Sequence, residues 1–114
     1  MNEKYISVER EASILKRAVE AYGVHTQTDM MIEEMSELTK AICKLYRATD
    51  EGSASVAVDN IREEIADVQI MLDQMKIMFG DASEQERAKL NRLEKRLDTA
   101  QAKSDGTLRE GAEA

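Results

Sequence analysis

The chain has 114 residues, a formal net charge of −7, a single cysteine, no proline and no tryptophan. That length suits one domain with a modest core. The lone cysteine excludes an internal disulfide or a zinc cluster, and the acidic balance argues against a partner gripped through a nucleic-acid backbone. No apolar run reaches the roughly 18 residues of a membrane span. The N-terminal MNEKYISVEREAS lacks the apolar region of a secretory signal, so a cytoplasmic setting is expected.

Absence of proline and abundance of Ala, Glu, Lys, Leu and Met point to helix throughout, and the glycines cut the chain into four helical stretches. The first is expected over about 7–22, with Val8, Ala12, Leu15, Val19 and Tyr22 on one face and Gly23 ending it. The second is expected over about 28–47, behind a Thr26/Asp29 capping box, with the stripe Met31, Met35, Leu38, Ile42 and Leu45. The third is expected over about 56–79, with Ile61, Ile65, Val68, Leu72, Met75 and Phe79. The fourth starts at Ser83, where Ser83 and Glu86 read as a capping box, and carries Leu90, Leu93, Leu97 and Ala100. Short connections favour antiparallel neighbours. The expected fold is therefore all-α, a four-helix bundle-like domain over 1–103, followed by a disordered polar tail over 104–114. Stripes this long on so small a domain favour a second copy to cover them.

Two segments carry chemistry. In Ile32-Glu33-Glu34-Met35-Ser36-Glu37-Leu38, Glu34 and Glu37 are three apart, and in Ile61-Arg62-Glu63-Glu64-Ile65-Ala66-Asp67-Val68 the same holds for Glu64 and Asp67. Residues three apart share a helix face, so each pair points one way and flanks its apolar stripe. In an antiparallel hairpin pivoting at Asp50-Glu51, beside Gly52, Glu34 faces Asp67 and Glu37 faces Glu64. Two like charges 4 Å apart repel by about 1 kcal/mol in water and roughly 4 kcal/mol at an effective dielectric of 20. Only Glu37 has a basic partner in its own helix, Lys40. A cation is expected to fill the gap, and an all-oxygen set suits Mg²⁺ or Mn²⁺ rather than zinc. A di-iron centre is not expected, because the only histidine, His25, falls in a connection without a partner.

Glu34-x-x-Glu37, a gap of 26 residues and Glu64-x-x-Asp67, with the doubled acids Glu33-Glu34 and Glu63-Glu64, resemble the signature of the MazG-like all-α nucleoside triphosphate pyrophosphohydrolases. The helical part, about 7–100, is the right size for such a domain. The resemblance implies an α-helical fold, Mg²⁺ dependence, cleavage of a nucleoside triphosphate to monophosphate and pyrophosphate, and a homodimer or homotetramer. It implies metal ligation by Glu34, Glu37, Glu64 and Asp67, with Glu34 or Glu33 handling the attacking water. Lys40, Lys44, Lys89 and Arg92, with Lys95 and Arg96, are the cations available to the phosphate chain. The phosphoribosyl-ATP branch usually has a lysine shortly before its first Glu-Glu, whereas Asp29, Met30, Met31 and Ile32 stand here.

Met30, Met31 and Met35, with Met71, Met75 and Met78, are core filler or the lining of a permissive base pocket. The alternative from another class is a non-catalytic regulatory or scaffold protein that keeps the acids as a divalent-cation site.

Overall fold

The computed structural model describes residues 5–106, and these form four α-helices with no strand. They are α1 (Val8–Tyr22), α2 (Val24–Tyr46), α3 (Glu51–Phe79) and α4 (Ser83–Ser104). The chain divides into two compact units, 1–80 and 81–114. In the first, α2 and α3 pair as a hairpin and α1 packs against both.

The helix ends refine the expectations. Ser7 caps α1 by accepting from the Arg10 backbone N–H at 3.1 Å. Gly23, at φ 87°, is the whole connection between α1 and α2, a backbone conformation that an L side chain resists. α2 therefore starts four residues earlier than expected. His25 lies in its first turn, with Nε2 3.5 Å from Asp29, and Thr26 and Asp29 are helical residues rather than a capping box.

α3 starts five residues earlier than expected, because Asp50 and Ser53 form a reciprocal capping box and Gly52 is absorbed into the first turn. α4 starts where expected, but with Ala82 at its cap, and the Ser83 hydroxyl donates to Asp81 instead of forming a box with Glu86. Of the expected disordered tail, Ser104 ends α4 and residues 105–106 form a turn. The rest lies outside the described residues.

The hairpin seam runs through Gln27, Met31, Glu34, Leu38, Ala41 and Leu45 on α2, against Ala57, Ile61, Glu64, Val68, Met71 and Met75 on α3, all buried or half-buried. Three of the five expected stripe residues on α2 and three of the six on α3 therefore turn inward. The others, Met35, Ile42, Ile65, Leu72 and Phe79, are exposed. The buried Ala41 and Ala57 explain the choice, since small side chains let the helices approach most closely along their own line. Centring the seam there places Glu34 and Glu64 within it instead of beside it.

One buried polar pair sits in that seam. The Gln27 side-chain amide donates to Gln74 Oε1 at 2.7 Å, and Gln74 Nε2 lies 3.5 Å from Met71 Sδ. Gln27 and Gln74 face each other about the same Asp50-Glu51 pivot inferred from the acids, so this bond fixes the hairpin register.

The α4 stripe behaves differently. Leu90, Leu93 and Leu97 are 54%, 44% and 58% exposed, and Ala100 is exposed too.

Candidate metal centre

The register brings Glu34, Glu64 and Asp67 together. One carboxylate oxygen from each lies within 4.8 Å of the other two. Glu34 and Glu64 are half-buried seam residues, and Asp67 is exposed on the flank beside them. Each is delivered by a regular helix, three or four residues from an apolar neighbour in the seam: Met31 and Leu38 around Glu34, Ile61 and Val68 around Glu64.

The electrostatics are unfavourable as they stand. Burial pushes the Glu34 carboxyl above its ordinary value, and the charges of Asp67, Glu64, Glu33 and Glu37 push it further the same way. Glu64 Oε2 is buried and accepts no hydrogen bond among the described residues. A buried acceptor left unpaired costs roughly 1–3 kcal/mol, and more when charged. A hard cation fits this donor set: it would supply the missing partner for Oε2 and offset the mutual repulsion of the three carboxylates.

The other sequence-derived residues fall in three places. Glu37 is outside the convergent trio, and its Oε1 lies 3.9 Å from Lys40 Nζ in an exposed pair on α2. Glu33 precedes Glu34 and is exposed. Lys44 lines a cavity of about 300 Å³ at the α2–α3 turn, together with Arg47, Asp50, Ser53 and Asn60. Asn60 stands one helical turn before Glu64. Lys89 and Arg92 are exposed on α4, in the second unit. Met30 is half-buried and Met71 buried, each one turn from an acid of the trio, while Met35 is exposed.

Sequence reasoning missed the Gln27–Gln74 lock and the contribution of Asn60 to the Lys44 cavity. The first was detectable, because the two glutamines are equidistant from the pivot that levels the acids. The second depends on the shape of the turn and has no sequence signal. Compared with protein-family models, curated proteins and solved structures, the chain matches none of them. No described helix is long and apolar enough to cross a membrane.

Proposed function

We infer that the α2–α3 hairpin is a divalent-cation site, Mg²⁺ or Mn²⁺, serving hydrolysis of a nucleoside triphosphate to monophosphate and pyrophosphate. This is the activity implied by the resemblance to MazG-like pyrophosphohydrolases. The observation that carries it is the convergence of Glu34, Glu64 and Asp67 around a buried, unpartnered carboxylate oxygen. A single Glu-x-x-Glu on a helix surface is common. Two such motifs held level by a buried hydrogen bond, with one acid already pushed toward protonation, call for a counter-charge.

Glu34, Glu64 and Asp67 would hold the ion, with Glu37 as a fourth carboxylate if it leaves Lys40. A divalent ion, when bound, supplies positive charge to a phosphate chain and acidifies nearby water. The chain's own residues supply the rest. Glu33 is exposed beside the trio and free to orient water and accept its proton. The oxygen of that water forms a bond to the α-phosphorus, and the bond from the α-phosphorus to the bridging oxygen breaks, releasing pyrophosphate. Lys40 and Lys44 are the cations on α2 that offset charge on the leaving group. Lys89 and Arg92 belong to the same reading only as α4 residues whose substitution tests it.

Assembly as a homodimer or homotetramer is part of the proposal. Its support is the exposed apolar flank of the hairpin: Met35, Ile42 and Tyr46 on α2, and Ile65 and Leu72 on α3. Each follows a seam residue by one position. The helices run in opposite directions, so a rotation of the same sign carries all five to the same side of the hairpin.

The test is pyrophosphate release from a panel of canonical, deoxy- and modified nucleoside triphosphates, with Mg²⁺ and with EDTA. Metal-dependent release, with monophosphate as the second product, is expected. Folded protein that binds Mg²⁺ but turns over no triphosphate would transfer the reading to the non-catalytic regulatory or scaffold protein.

A further inference from the structure

We propose that the cavity at the α1–α2 junction, lined by Tyr22, Thr26, Gln27 and Met30, takes the base of the nucleotide and prefers a base with an exocyclic amino group. The inference rests on the triphosphate reading above and adds where the base lies and what recognises it.

Thr26, Met30, Glu33, Glu37, Lys40 and Lys44 are spaced four, three, four, three and four residues apart, so they share one face of α2. The acids occupy the middle of that face, and a cavity opens toward each end. The two cavities differ in chemistry. The one at the α2–α3 turn is lined by Lys44 and Arg47, neither of them in an ion pair among the described residues. Its one carboxylate, Asp50, is engaged by the Ser53 backbone N–H at 2.7 Å. That end suits a phosphate tail. The cavity at the α1–α2 junction has a volume of about 290 Å³ and no charged residue in its lining. That end suits a base. Gln27 stands two helical turns before Glu34, roughly 10 Å at 1.5 Å per residue. This matches the reach from an α-phosphate to the hydrogen-bonding edge of its base.

Two side chains give the cavity its selectivity. Gly23 alone joins α1 to α2, which sets the Tyr22 ring beside the first turn of α2. That ring is 64% exposed and open to stacking on a base. Gln27 is only 5% exposed, and its Nε2 donates to Gln74 Oε1. Gln27 Oε1 accepts no hydrogen bond among the described residues and is not sealed within the seam, so it stands as an acceptor in the cavity wall. The bond to Gln74 keeps the amide from turning over to present a donor. A fixed acceptor calls for a donor on the base. Cytosine and adenine offer an exocyclic amino group where thymine and uracil offer a carbonyl oxygen, and an acceptor facing a carbonyl stays unpaired.

Calorimetric titration of the full chain, in Mg²⁺, with the α,β-imido analogues of dCTP and dUTP and with tripolyphosphate tests this. The cytosine analogue is expected to bind roughly fivefold tighter than the uracil analogue. Tyr22→Ala is expected to weaken both analogues about tenfold and leave tripolyphosphate unchanged, and Tyr22→Phe is expected to bind as wild type. The double variant Gln27→Leu/Gln74→Leu removes the acceptor without leaving an amide unpaired, and is expected to bind the two analogues equally. Analogues bound no tighter than tripolyphosphate, or bound equally well by Tyr22→Ala and wild type, would overturn the base site. Equal binding of the two analogues by wild type, or a preference that survives the double variant, would overturn the role of Gln27. Binding is read without turnover. A chain that binds the analogues as expected but hydrolyses no triphosphate keeps the base site and loses the hydrolysis, whereas hydrolysis with an unchanged KM in Tyr22→Ala loses the base site alone.

Discussion

The α2–α3 hairpin and α4 carry apolar residues at the same helical rhythm, yet six of the eleven stripe residues of the hairpin are buried or half-buried while Leu90, Leu93 and Leu97 of α4 are exposed. Periodicity makes both helices amphipathic. Within the hairpin, the short turn 47–50 hands α3 to α2 directly, and each covers part of the other's apolar face. The hairpin also tolerates polar residues in its seam, because Gln27 and Gln74 satisfy each other. It tolerates Glu34 and Glu64 at the cost of a raised Glu34 pKa and an orphaned Glu64 oxygen. In α4 the polar residues stay on the outside.

The sharpest way to break this contrast is truncation. Met71→Ala, in the seam, is expected to lower unfolding free energy by about 2–4 kcal/mol. Leu90→Ala, at an exposed position of α4, is expected to cost under about 1 kcal/mol. Denaturant melts of both variants check it, and equal losses would mean that α4 is covered.

Within the hairpin, the structure ranks the acids. Asp67→Asn is expected to reduce metal-dependent turnover roughly hundredfold or more, as loss of a ligand charge should, and Glu37→Gln by less than tenfold, because Glu37 sits beside Lys40. Initial rates across a Mg²⁺ titration separate weaker ion binding from slower chemistry. The opposite ranking would place Glu37, and not Asp67, in the centre.

The register lock is testable by a double-mutant cycle. Gln27→Leu or Gln74→Leu alone leaves a buried amide unpaired and is expected to cost about 1–3 kcal/mol. The double substitution is expected to recover most of that loss. Asp50→Ala removes the α3 capping box and is expected to cost about 1 kcal/mol, read in the same melts.

The smallest effect is electrostatic. The Glu34 carboxyl titrates above its ordinary value near 4.5, so its proton is held more tightly in the folded state. The associated stability is fully present below that ordinary value and is lost as pH rises through the raised one. In metal-free protein, Glu34→Gln is therefore expected to gain roughly a few tenths of a kcal/mol over wild type near neutrality, with the difference closing toward acid pH. Saturating Mg²⁺ is expected to reverse the sign, because the cation stabilises only the carboxylate form.

Much of this molecule was legible before its structure. The four helices, the Gly23 and Gly80 breaks, the antiparallel hairpin and the pivot at Asp50-Glu51 all follow from spacing. The early starts of α2 and α3 did not. A glycine marks a possible break, and whether it ends a helix depends on local partners such as the Asp50–Ser53 box, which carries α3 straight through Gly52.

The sequence by itself led to an antiparallel register in which Glu34 is expected level with Asp67 and Glu37 with Glu64; the structure brings Glu34, Glu64 and Asp67 together and leaves Glu37 beside Lys40. Only the tertiary structure decided which residues faced inward. Ala41 and Ala57 are buried in the seam, Glu34 and Glu64 are half-buried within it, and Met35, Ile42, Ile65 and Leu72 are left outside. A stripe drawn along a helix has a width of more than one residue, and the depth of each side chain within it is fixed by the partner surface, which periodicity does not contain.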